Sequence, residues 1–150
     1  MKRTAFTSTA VLAILISLAS FAFRAPNVRE TLEQSFQKNF PNAENVHWNE
    51  DTNGYTVSFT IKTILTRINY DRKGRFTGSL RNYSEQLLPF YLVNILKQKY
   101  PGQDIYGVTE ITSATDIAYF VKLESPTTWT TVRLDNDGNS AIIERYNKGN

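Results

Sequence analysis

The chain has 150 residues, with 17 lysines and arginines against 14 acids, one histidine and no cysteine. Without a thiol there is no disulfide, no cysteine nucleophile and no thiolate metal site. A formal net charge of only +3 excludes the broad basic footprint of a nucleic-acid binder, and it gives acidic substrates no strong support either.

Lys2 and Arg3 precede an acid-free apolar stretch from Ala10 to Leu18, followed by small residues at Ala19, Ser20 and Ala22. This order predicts a secretory signal peptide over residues 1–22 and a mature start near Phe21 or Phe23. The apolar run is short for a membrane span and is soon followed by Arg24, Pro26 and Asn27, with an uncleaved anchor as the alternative. No cysteine stands after it for lipid attachment, so the expected location is the periplasm or beyond, with no stable membrane span after cleavage. Loss of the leader lowers the formal charge from +3 to +1. About 125 residues remain, enough for one well-buried core held by packing alone.

From Asn27, the apolar residues Val28, Leu32, Phe36 and Phe40 recur every four positions, with Arg29, Glu30, Glu33, Gln37 and Lys38 between them. That is an amphipathic helix stopped by Pro41. A short strand is expected around Val46–Asn49. The period then changes to two: Tyr55, Val57, Phe59 and Ile61 alternate with polar residues, and Ile64, Thr66, Ile68 and Tyr70 alternate with Leu65, Arg67 and Asn69. Asp71, Arg72, Lys73 and Gly74 make a turn into a strand from Arg75 to Tyr83. A second helix is expected to start at Ser84 or Glu85, to carry Pro89 in its first turn and to end at Pro101. Strands then follow at Tyr106–Thr112, Ile117–Glu124, Thr128–Leu134 and Ser140–Tyr146. The facing of the last strand of each set stays open, because Phe76, Gly78, Leu80 and Ala141, Ile142, Ile143 do not alternate cleanly.

These elements form two copies of one pattern. Val28, Leu32, Phe36, Phe40 and Pro41 are matched in step by Leu88, Leu92, Leu96, Tyr100 and Pro101. Tyr55, Val57, Phe59, Ile68, Tyr70, Asp71 and Gly74 return as Tyr119, Val121, Leu123, Val132, Leu134, Asp135 and Gly138. The predicted class is α+β: a tandem repeat of one helix plus about four antiparallel strands, with both helices on one face of the sheet. Repeat 1 covers residues 27–84 and repeat 2 covers 85–147, packed as one body. Phe90, Tyr91, Val93 and Ile95 lie outside the apolar stripe of the second helix and are expected to contact the other repeat, with a homodimer interface as the competing explanation.

The helix ending in Phe40-Pro41, Trp48, the Tyr-x-Val-x-Phe strand from Tyr55, the Asp-x-x-Gly turn, the Leu88-Pro89 opening and the Tyr100-Pro101 end together resemble the PepSY-like, beta-lactamase-inhibitor-like (BLIP-like) periplasmic proteins of Bacteroidetes. The resemblance covers about residues 27–147, and the second copy departs from it by carrying Val108 near where Trp48 aligns. It implies a tandem helix-plus-sheet fold, similar to the inhibitor that grips beta-lactamase with the open face of its sheet. Most members of the family have no established biochemical activity.

The chemistry-bearing residues point away from catalysis and from any cofactor. His47 has no thiolate partner, and strand alternation puts Glu50 on the opposite face from it. There is no serine elbow to complete a triad. Asp135-Asn136-Asp137-Gly138 lacks the spacing of an EF-hand loop, and Asp71-Arg72-Lys73-Gly74 puts cations at the matching place, so both read as hairpin turns. Glu110, Asp116, Glu124 and Glu144 are scattered. The wet face of the sheet is richer. Alternation puts Leu65, Arg67, Phe120, Lys122, Trp129 and Arg133 there, and exposed aromatic and arginine side chains are the material of binding hot spots. The bland alternative is cross-strand packing that shields an open sheet. The expected role is capture of a protein or peptide in the cell envelope. Modulation of a neighbouring protease or sensor, or carriage of a small ligand between helices and sheet, are the alternatives.

Overall fold

The computed structural model describes residues 27–149, so the predicted leader lies outside the described residues. Helix α1 (Val28–Asn39) starts where the Asn27 side chain accepts the Arg29 N–H, the N-cap its short amide suits. It is followed by β1 (Glu44–Glu50), β2 (Gly54–Ile61), β3 (Ile64–Asp71) and β4 (Phe76–Tyr83). A single 3₁₀ turn (Glu85–Leu87) leads to α2 (Phe90–Lys99), and β5 (Asp104–Ser113), β6 (Ile117–Glu124), β7 (Thr128–Asp135) and β8 (Ser140–Asn147) complete the chain. The strands form one open eight-stranded sheet in the order β1 to β8, each antiparallel to the next.

The second helix begins later than the sequence predicts. Pro89 is its N-cap and not a residue of its first turn. Leu88 is extended at φ −72°, ψ 136°, because a residue preceding proline is driven out of helical geometry. The Ser84–Leu87 segment therefore closes as a separate turn.

Both helices lie on one face. Phe36 of α1 packs with Val57, Phe59 and Ile68, and Phe40, Trp48 and Tyr70 surround that cluster. Leu88, Leu92, Val93, Leu96 and Tyr100 pack over Val108, Tyr119, Val121, Leu123, Val132 and Leu134. The two clusters remain distinct, and Ile64 is the residue of β3 that reaches the second. What joins the halves is the ladder between β4 and β5, in register from Gly78↔Ser113 to Tyr83↔Val108. The expected inter-repeat role of the extra apolar residues of α2 is thus corrected. Phe90 is 78% exposed, Val93 belongs to the core under its own helix, and the Tyr91 hydroxyl donates to the Asn136 carbonyl in the β7–β8 turn. Edge-to-edge pairing satisfies backbone groups along a whole strand, so the helices need not meet for the sheet to be continuous.

The hairpin turns after β3 and β7 are built alike. Oδ1 of Asp71 accepts the N–H groups of Lys73 and Arg75, and Oδ1 of Asp135 accepts those of Asp137 and Asn139. Gly74 and Gly138 hold φ of +78° and +86°. A Cβ at Gly74 would lie 3.0 Å from Val28 Cγ1, and one at Gly138 would lie 2.4 Å from Ile95 Cδ1. Each turn is thus tied to the helix above it at a point where only glycine fits. The same hydrogen bonds lower the carboxyl pKa values: the Arg75 backbone N–H leads at Asp71, and the Asn139 side chain leads at Asp135.

Leu92, fully buried, should cost about 2–5 kcal/mol when replaced by alanine, whereas Ile143→Ala on exposed β8 should stay within about 0.5 kcal/mol; urea unfolding measures both. Because folding depresses the two turn carboxyl groups, their contribution is complete above the ordinary aspartate range and is lost as pH falls through the folded values. The thermal midpoint should therefore drop below about pH 4, and the Asp71→Ala/Asp135→Ala variant should be less stable at neutral pH with a flatter acid decline.

Candidate functional site

The face opposite the helices has no element above it among the described residues, and the register shows which side chains occupy it. Val57 pairs with Ile68 and Val121 with Val132, and these four are buried under the helices. Their immediate neighbours along each strand therefore point to the other side. All six residues singled out from the sequence fall there. Leu65, Asn82, Thr109, Phe120 and Arg133 form one row of paired positions across β3 to β7. Arg67 pairs with Leu80, which pairs with Ile111, and Ile111 with Ala118. Leu65, 51% exposed, thus begins an apolar strip that crosses the β4–β5 seam through Leu80 and Ile111 to Phe120. The Thr109 hydroxyl donates to Asn82 Oδ1 at 2.7 Å across the same seam.

The structure brings Lys122 and Trp129 together more closely than sequence spacing shows. Lys122 Nζ stands 4.6 Å from the Trp129 ring centroid, and Lys148 Nζ stands at 4.6 Å from it as well. Tyr106 meets Trp129 edge-on at 4.9 Å, and Lys122 lies 6.0 Å and 5.9 Å from the rings of Tyr106 and Tyr146. Three aromatic rings and two ammonium groups make one box, which leaves Trp129 half-buried by its neighbours and not by a helix. Glu124 ion-pairs with Lys148 at 2.5 Å. Phe120 and Arg133 are cross-strand partners beside this box. Leu65 and Arg67 belong to another part of the face, three strands from β6 or about 14 Å away. Arg67 donates there to the Ser58 hydroxyl at 3.4 Å.

Tyr106, Tyr146, Lys148, Leu80 and Ile111 were not legible as members of this face. Tyr106 stands two residues before buried Val108, so alternation puts both on the helix side. An irregularity between Ile105 and Gly107 adds one residue to β5, and Tyr106 emerges on the open face at 64% exposure. Gly107 inside a strand was the available signal. The same device resolves the last strands: the register shifts between Tyr70↔Phe76 and Asn69↔Gly78 in β4, and between Val132↔Ile142 and Thr131↔Glu144 in β8.

The remaining chemistry-bearing groups are held in structural pairs. His47 is exposed and pairs with Ser58 on the open face, while Glu50 pairs with Tyr55 on the other side and binds Arg72 at 2.7 Å. Glu110 accepts the Tyr83 hydroxyl at 2.7 Å and Arg81 Nη1 at 3.3 Å. Burial first, and then that carboxylate acceptor, pushes the Tyr83 phenol above its ordinary range. Among the described residues, no group of three His, Cys, Asp or Glu side chains is placed to hold a metal ion.

The helix side also has an opening. A groove of about 590 Å³ lies over β3 and β4, lined by Phe40, Phe59, Ile64, Ile68, Phe76 and Arg81, among others.

No family model matches the chain, and no curated protein matches it in sequence. Solved structures share its fold. A DUF2874 family protein from Bacteroides uniformis superposes with a TM-score of 0.57 at 19% identity, over 83% of this chain and 90% of its own. A BLIP-like protein from Bacteroides fragilis gives 0.56 at 12% identity, over 86% and 92%. A candidate periplasmic protein from Bacteroides eggerthii gives 0.57 at 14% identity, over 83% and 89%. The resemblance to BLIP-like proteins of Bacteroidetes holds at the level of fold.

If the extra residue in β5 sets the facing, Tyr106→Ala should change stability by less than about 1 kcal/mol, while Val108→Ala should cost about 1–3 kcal/mol. Paired denaturant curves decide this, and equal losses would restore simple alternation.

Proposed function

We propose that the chain is an exported, non-catalytic protein of the cell envelope that binds another protein or an extended peptide with the open face of its sheet. The observation that carries this reading is the uncovered box of Tyr106, Lys122, Trp129, Tyr146 and Lys148 beside the apolar strip from Leu65 to Phe120. Rigid aromatic rings lose little conformational entropy on contact, and with cations around them they make strong anchors. Arg67, Lys122, Arg133 and Lys148 share this face with Glu44, Asp104, Glu124 and Glu144, so it carries both signs of charge. Its complement is an apolar segment flanked by charges of both signs. Modulation of a protease or sensor is one use of such a contact.

We read the two halves as copies of one unit, over residues 27–84 and 85–147. Support comes from the extra residues in β1 and β5, which recur about sixty positions apart, and from the matching Asp-x-x-Gly turns under each helix. Export is read from the leader and from the periplasmic description of one structural neighbour. Among the described residues, no helix is long and apolar enough to cross a membrane. The non-catalytic reading draws on the acids already committed to turns and ion pairs, Asp71, Asp135 and Glu110.

The test uses protein recovered from the envelope as bait. A defined protein held by the wild type, and again from purified components, should be lost by Phe120→Ala/Trp129→Ala with the thermal midpoint shifted by only a few degrees. Unfolding of the double variant would assign both rings to the core, and undiminished capture would move the contact elsewhere.

A further inference from the structure

A separate observation on the helix face concerns the groove between α1 and the β4 side of the sheet. Its floor is a set of cross-strand pairs: Tyr70 with Phe76 at one end, Ile68 with Ser79 in the middle, and Thr66 with Arg81 toward the other. Phe40, Phe59, Ile61 and Ile64 supply further lining. At about 590 Å³ it lies inside the range of about 300–1,000 Å³ typical of small-ligand sites. Its lining is mainly apolar, with Ser79 the small polar residue at mid-floor, and Phe76 is left 43% exposed.

The one charged residue of the lining stands at one end. Arg81 keeps 39% of its side chain exposed, and its one ion pair among the described residues uses Nη1 alone, at 3.3 Å from Glu110. Thr66 sits directly across the strand from it. From Arg81 to Phe76 the floor spans the four residue steps from Thr66 to Tyr70 on the partner strand, about 13 Å at roughly 3.3 Å per residue, the length of an extended acyl chain of about ten carbons. The aromatic cluster explains why this space is open. Phe36 and Phe40 of α1 meet Phe59 at 4.9 Å and 5.0 Å, and Phe36 meets Trp48 edge-on at 5.6 Å. These contacts hold the C-terminal end of α1 over β1 and β2 and leave the β3–β4 floor without a lid.

We propose that this groove binds a single-chain amphiphile with a carboxylate head, its tail along Ile68 to Phe76 and its head on the guanidinium of Arg81. The site is distinct from the open face and independent of what that face binds. A flexible tail replaces water over the apolar floor, and a carboxylate takes the donors of Arg81 that Glu110 leaves unused.

Calorimetric titration with decanoate, dodecanoate and tetradecanoate below their critical micelle concentrations tests this on protein recovered from the envelope. Affinity should rise about fourfold per added methylene until the groove is full. Dodecanol should bind at least tenfold more weakly than dodecanoate. Arg81→Gln should bring dodecanoate down to the level of dodecanol, whereas the charge-matched control Lys38→Gln, on the exposed side of α1, should change nothing. Ser79→Leu, which fills the floor, should abolish binding of both, with the thermal midpoint checked for each variant. Equal affinity for acid and alcohol would overturn the head-group assignment, and no heat at any chain length would overturn the site. A dimer that dodecanoate does not dissociate would give the groove to a second copy, and binding seen only after deletion of the residues before Asn27 would give it to the chain's own leading segment. Either result would also overturn the proposal.

Discussion

The ladder between β4 and β5 is the constraint on which everything else depends. Six register pairs, from Gly78↔Ser113 to Tyr83↔Val108, turn two four-stranded sheets into one and place both helices on the same side. Side chains alternate strictly across a ladder, so that single registration decides which residues of both halves share the open face. A slip of one residue at the seam would separate Leu80 from Ile111 and send half of the apolar strip to the helix side.

The halves answer the same pattern with different packing. Around α2, the leucines at 88, 92 and 96 lie over a continuous set of buried valines and leucines, and Tyr91, Ile95 and Lys99 reach the β7–β8 end. Around α1, Val28 and Leu32 match Leu88 and Leu92, but rings stand for leucines at Phe36, Phe59 and Tyr70, which match Leu96, Leu123 and Leu134, and the buried set is Phe36, Val57, Phe59 and Ile68. Rings pack against each other with fixed offsets and fill space less evenly than branched aliphatics, so the floor beside α1 is left partly open. Trp48 occupies the position across from Val57 that Val108 occupies across from Val121.

Much of the fold was legible because strong local signals agreed. The strands from Gly54 to Asp71 and from Ile117 to Asp135 follow the period-two runs, and Asn27 and Pro41 bracket α1. The sequence puts Pro89 in the first turn of a helix starting at Ser84 or Glu85, whereas it is the N-cap of a helix starting at Phe90, since its effect falls on Leu88 before it. On the open face, the six residues chosen by alternation all project as alternation requires. Their partners Tyr106, Tyr146 and Lys148 were missed, because a strand with one added residue reverses parity at a point that only pairing with the next strand reveals. Phe90 and Tyr91 misled for a related reason: apolar character on a helix does not say which neighbour, if any, lies beside it.

By itself the sequence determined where helices and strands form, which turns carry aspartate and glycine, and which stripe of each helix is buried, because these follow from backbone sterics and periodicity within a few residues of one another. Tertiary structure alone decided how the halves join, where β1, β4, β5 and β8 change parity, and that a groove stays open beside α1. Those outcomes depend on pairing and packing between residues far apart in the chain, where register and side-chain volume are settled only when the elements meet.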